Sequence, residues 1–88
     1  MVRQPLTPEQ IAAGQRLGAA LRVARAGRSL VEVACAAGIS PETLRKIESG
    51  RLPAPAFGTV VGLSAALGVP LDDLAEVWLA DTGIRQAS

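Results

Sequence analysis

Apolar residues in the first half of the chain recur at steps of three and four. Ile11, Gly14, Leu17, Gly18, Leu21 and Ala24 follow that spacing, which is the period of a helix with one apolar face. Thr7-Pro8-Glu9-Gln10 supplies its start. The Thr7 hydroxyl can accept from the Gln10 amide, proline suits the first helical position, and the Gln10 side chain can reach back. Gly27 supplies the stop. Ser29 can cap a second helix with Leu30, Val33, Ala34 and Ala37 on one face and Gly38 past its end. Ser40-Pro41 repeats the cap-and-proline device almost at once, so a third helix runs through Leu44 and Ile47 to Gly50. The two short helices are joined by a tight glycine turn.

Arg51-Leu52-Pro53-Ala54-Pro55 cannot continue a helix, because each proline lacks the amide donor and restricts the residue before it. Beyond this connector, Phe57, Val60, Val61, Ser64 and Leu67 form a fourth apolar stripe ending at Gly68, and Leu71, Leu74, Val77 and Trp78 form a fifth. Asp72 and Asp73 fall in the first turn of that last helix, where negative charge suits the helix dipole. The pattern predicts an all-α fold, a compact five-helix bundle with a helix-turn-helix from about Ser29 to Gly50. Residues 1–6 and 82–88 carry no pattern and are expected to be flexible tails on a single domain over 7–81.

Composition narrows the function. The apolar fraction of 49% is high, but much of it is alanine, and Phe57 and Trp78 are the only aromatic residues. The core is therefore thin, and burial of a further apolar face in a second copy would help so small a domain. No run approaches the roughly 18 apolar residues of a membrane span, and the N-terminus lacks the apolar stretch of a signal peptide. A cytoplasmic protein is expected, at the nucleoid when bound. Cys35 is the single cysteine and there is no histidine, which removes an internal disulfide, a cysteine-based zinc site and the commonest general base. No enzyme, no metal and no cofactor are expected; Cys35 reads as a small helix-packing residue rather than a redox sensor.

The net charge is only +1, but it is divided unevenly. Residues 1–51 hold eight cations against four carboxylates, a balance of +4, and residues 52–88 hold Arg85 against four carboxylates, a balance of −3. Such asymmetry points to a face that binds a polyanion.

The run SLVEVACAAGISPETLRKIESG from Ser29 resembles the helix-turn-helix of the phage repressor and Cro family, also called the xenobiotic-response-element family. The segment AFGTVVGLSAALGVPLDDL is similar to that family's fourth and fifth helices, so the resemblance covers roughly residues 17–79. Its specific pieces are Ala34, the turn Ala37-Gly38-Ile39-Ser40, Ile47-Glu48 followed by Gly50, and Ala66-Leu67-Gly68-Val69. Each has a physical sense of its own. Ala34 is small where two helices cross, Gly38 can take the left-handed conformation that ends a helix, and Ile39 plugs the space beneath the turn.

The resemblance implies a sequence-specific regulator that lays its third helix, about 41–49, in the major groove of double-stranded DNA, most simply as a repressor. Matched positions make Glu42, Thr43, Arg45 and Lys46 base contacts, beside the apolar Pro41. Arg45 and Lys46 can donate to guanine, Glu42 can accept from cytosine N4, and Thr43 can touch a thymine methyl. Arg28, Ser40 and Arg51 are phosphate candidates. In the family the glutamate matching Glu48 pairs with an arginine of the first helix. Arg22 is the candidate here, with Arg25 or solvent as alternatives. The sequence departs from the family at Leu30 and Val31, where many members carry a phosphate-binding glutamine and a polar residue. Leu30 then reads as core, and Val31 with Cys35 as an exposed apolar strip.

Leu74, Val77 and Trp78 on the last helix are candidates for a homodimer interface, with core as the other reading of Trp78. The alternatives to a regulator are the antitoxin of a toxin-antitoxin pair, or a protein-interaction module that keeps the fold without DNA binding and docks a protein partner through Val31, Cys35 and Trp78.

Overall fold

A capping box opens the first helix in the computed structural model, which describes residues 5–80. The Thr7 hydroxyl accepts from the Gln10 amide at 3.1 Å, and the Gln10 side-chain oxygen accepts from the Thr7 amide at 2.9 Å. Helix α1 (Pro8–Arg25) follows. It stops two residues before the glycine that the sequence offers, because Ala26 itself takes the turn with φ 54° and donates to the carbonyls of Arg22 and Val23. An L-residue with a Cβ is strained there. The expected tails fall almost wholly on residues 1–4 and 81–88, which lie outside the described residues.

Helices α2 (Leu30–Ala37) and α3 (Pro41–Glu48) form the expected pair. Ser29 accepts from the Glu32 amide at 3.0 Å and Ser40 from the Thr43 amide at 3.1 Å, so each helix start has one of its orphan donors satisfied by a side chain. Between them Gly38 sits at φ 79°, and the Ile39 amide returns to the Ala34 carbonyl at 3.0 Å. The chain reverses in two residues, which fixes the angle between the helices. Helices α4 (Phe57–Leu67) and α5 (Leu71–Leu79) complete the all-α fold.

The five helices of the described residues close around one core of Leu17, Leu21, Val33, Ala34, Leu44, Ile47, Leu63 and Leu74. Leu30, Ile39 and Trp78 pack against it partly buried, as expected for Leu30 and Ile39. Small residues let the backbones approach. A methyl group on Gly18 would collide with the Ile47 carbonyl where α1 crosses α3, and one on Gly62 would lie 2.5 Å from the Ala37 carbonyl oxygen where α4 crosses α2.

Several expectations of burial are corrected, and Val61 and Leu71 of the fourth and fifth stripes are exposed. Ile11 is exposed, and Ala13 takes its place on the buried face of α1. Phe57, read as part of the fourth stripe, is 74% exposed at the first position of α4. Leu74, a candidate for the dimer interface, is 4% exposed and belongs to the core. Periodicity finds the apolar face of a helix but not how far a neighbour covers its ends.

Candidate nucleic-acid interface

Helix α3 has two unlike faces. Leu44 and Ile47 are buried beneath it, while Glu42, Arg45, Lys46 and, just past its end, Ser49 are exposed at steps of three and four on the outside. The outer row is polar along its whole length, and its anchoring row is fully apolar. Glu42 and Arg45 form a weak exposed pair at 3.4 Å, and the Lys46 ammonium has no partner among the described residues. Such a pair costs little to open, so both groups remain available to a ligand.

The start of α3 is more constrained. The Ser40 and Thr43 hydroxyls lie 2.9 Å apart and share a hydrogen bond, in addition to the cap that Ser40 provides. Thr43 therefore has its hydroxyl turned to Ser40, which leaves its methyl as the other contact it can offer. Past α3 the chain turns at Gly50 with φ 84°, and the Leu52 amide donates to the Lys46 carbonyl at 3.0 Å. Arg51 is exposed at this turn with no partner among the described residues.

The ion pair at the far end of α3 differs from expectation. Glu48 is paired with Arg25, not Arg22, through two hydrogen bonds: Arg25 Nε donates at 2.7 Å and Nη2 at 3.0 Å. The pair is shielded, with 18% of the arginine side chain and 8% of the glutamate side chain exposed. Hydrogen bonding to Glu48 raises the Arg25 pKa further above its ordinary value; partial burial opposes this and the charge of Glu48 adds to it. Arg25 Nη1 also donates to the Arg28 carbonyl at 2.8 Å, tying the α1–α2 loop to the end of α3. Arg22 is exposed on α1 with its guanidinium unpaired among the described residues. The matching signal was distance along the helix: Arg25 stands two turns beyond Gly18, the residue on which the end of α3 rests.

Arg28, a phosphate candidate, has an internal role as well. Its Nη1 donates to the Ala66 carbonyl at 2.9 Å, and its Nε meets Glu32 at 3.4 Å. Sequence reasoning missed Arg16 altogether. Its Nε donates to the Val77 carbonyl at 3.0 Å and its Nη2 to the Trp78 carbonyl at 2.7 Å, so a side chain of α1 caps the end of α5. Val77 and Trp78 are half-buried beside it, and Val31 and Cys35 are exposed as an apolar strip on α2.

With two capped helices, a glycine turn and a polar outer face in place, residues 16–77 match the family described as helix-turn-helix domain. The chain belongs to that family. This helix-turn-helix protein is also similar to the crystal structure of the clp gene regulator ClgR from C. glutamicum. The likeness covers 90% of this chain and 100% of that one, at 30% identity and a TM-score of 0.66. No curated protein matches significantly. Family and likeness together support DNA-binding transcription regulation. No helix among the described residues is long and apolar enough to cross a membrane.

Proposed function

We propose that the chain is a non-enzymatic regulator of transcription, of the phage-repressor and Cro type, that binds a specific double-stranded sequence with α3 in the major groove and acts by repression. The observation that carries this reading is the contrast across α3: Leu44 and Ile47 buried on one side, Glu42, Arg45 and Lys46 exposed on the other. A helix held rigidly by its inner row can present its outer row to base edges without paying to order itself.

In this reading Arg45 and Lys46 donate to guanine O6 and N7, Glu42 accepts from cytosine N4 once it leaves Arg45, and the Thr43 methyl meets a thymine methyl. Ser40 and Arg51 hold phosphates on either side. Arg28 joins them through Nη2, the end of its guanidinium not used by Ala66 or Glu32. The unit spans residues 7–81 and works in the cytoplasm. Two copies bind two half-sites about 34 Å apart, because one short helix reads too few base pairs for useful specificity. They meet at the C-terminal end of α5 through Val77 and Trp78.

Selection of bound sequences from random duplex DNA tests the whole reading. An enriched two-fold symmetric site is the expected result, and a pool that stays random after several rounds refutes it.

A further inference from the structure

Phe57 and Trp78 are the only aromatic residues of the chain, and both line one open groove of about 410 Å³ between α1, the connector after α3, α4 and α5. The volume falls within the range of about 300 to 1,000 Å³ usual for binding pockets. Leu17, Val60 and Leu71 are among its apolar walls. Phe57 stands at the first position of α4, 74% exposed, and Leu71 is exposed at the first position of α5. One patch of surface therefore carries both a projecting aromatic ring and an apolar hollow. That combination is self-complementary, because a two-fold axis beside it brings the ring of each copy to the hollow of the other.

Continuity and charge favour a second copy of this chain as the occupant. Trp78, which lines the groove, is the residue assigned above to the contact between two copies, so a copy seated on Trp78 also covers the hollow. Asp72 is the one charged residue of the lining. It stands with Asp73 in the first turn of α5, while the far end of that helix is capped by the Arg16 guanidinium on the Val77 and Trp78 carbonyls. Two α5 helices packed antiparallel about the two-fold set the acidic start of each beside the cation-capped end of the other, an arrangement that the helix dipoles also favour. Ala75, exposed midway along the helix, presents only a methyl group to that approach.

We propose that two copies of the chain interlock through this groove, α5 antiparallel to α5, with Phe57 of each copy seated in the hollow of the other against Trp78 and Asp72 turned toward the partner's Arg16. The inference rests on the dimer reading above and adds to it the start of α4, the side chain that anchors the contact and the relative direction of the two helices. An aromatic ring buried in a partner's pocket is the kind of anchor on which the strength of an interface depends. None of the residues assigned to DNA lines the groove, so pairing there leaves the outer face of α3 free.

Sedimentation equilibrium of the full chain without DNA measures the pairing, and the emission of Trp78, the only tryptophan, reports the covering of the groove. The wild type is expected to be a dimer at micromolar concentration, with emission that moves to longer wavelength as dilution dissociates it. Phe57→Ala, at a position the core does not use, should raise the dissociation constant about tenfold with helical content unchanged. Asp72→Asn should raise it severalfold. A wild-type chain that is monomeric at this concentration overturns the proposal and leaves the groove to a different occupant. An emission unmoved by dissociation overturns it too, as does an Asp72→Asn dimer tighter than the wild type, since the two carboxylates would then face each other. A dimer lost with Trp78→Ala but kept at full strength with Phe57→Ala leaves the contact at the end of α5 standing and refutes the interlock. Because no DNA enters these measurements, a failure to select a duplex sequence bears on the regulator reading alone.

Discussion

Arg25 and Glu48 are joined by two charged hydrogen bonds of 2.7 and 3.0 Å that fasten the end of α1 to the end of α3. Because both side chains are shielded, removal of either leaves a charge in a place where water hydrates it poorly. Arg25→Ala or Glu48→Ala should therefore cost about 2 to 3 kcal/mol, lowering the midpoint of thermal unfolding by roughly 8 to 20 °C. Arg22→Ala should stay within about 0.5 kcal/mol. Circular dichroism on the three variants checks this, and equal losses at Arg22 and Arg25 would refute the pairing. The sign of the pH dependence also follows. A guanidinium whose pKa is raised on folding contributes fully below its unfolded value and ceases to do so only as pH rises through the folded one. The pair does not open from the arginine side at any ordinary pH.

Two backbone substitutions should move stability in opposite directions. Gly18→Ala places a methyl group against the Ile47 carbonyl, which is held by its own helix and cannot give way. A loss of about 1 to 3 kcal/mol is expected. Ala26→Gly relieves the strained φ of 54° and should gain about 0.5 to 1 kcal/mol, though glycine also loosens the unfolded chain. Chemical denaturation of the pair decides it; an Ala26→Gly variant less stable than the parent would count against the turn geometry.

DNA readout and DNA positioning should separate by mutation. Arg45→Ala with Lys46→Ala is expected to abolish preference for the selected site over random duplex, at about 1 to 3 kcal/mol per lost base contact. Arg51→Ala should weaken both kinds of DNA alike and flatten the salt dependence. Arg28→Ala should do the same and also lower stability, because its Nη1 holds the Ala66 carbonyl. Binding isotherms at several salt concentrations distinguish these outcomes. An undiminished preference in the Arg45/Lys46 variant would remove α3 as the reading helix.

Trp78→Ala is expected to shift a dimer toward monomer and to weaken the two-half-site operator more than a single half-site. Sedimentation velocity at micromolar concentration gives the answer. A wild-type chain that is monomeric and binds one unpaired half-site would refute the dimer.

The caps, turns and inner rows of the helix-turn-helix were legible in the sequence because they are local. Ser29, Gly38 and Ser40 act on amides and carbonyls within a few residues of themselves, and Leu44 and Ile47 follow from helical period alone. Contacts between distant elements were not legible. Arg22 and Arg25 lie three residues apart on one helix, and choosing between them requires knowing where α1 crosses α3. Arg16 has no sequence signal for the end of α5, which lies more than sixty residues away. Phe57 has the hydrophobicity of a core residue and is exposed because no helix among the described residues covers the start of α4.

The reach of Arg16 to the Val77 and Trp78 carbonyls sets an order of assembly. The guanidinium is made some sixty residues before its acceptors, so α1 is complete well before this clasp can form. Until then the core lacks Leu74, which α5 contributes. Without α5 in place the chain would hold its third helix in rough outline but not at full rigidity, and tight DNA binding would wait on the docking of that last helix.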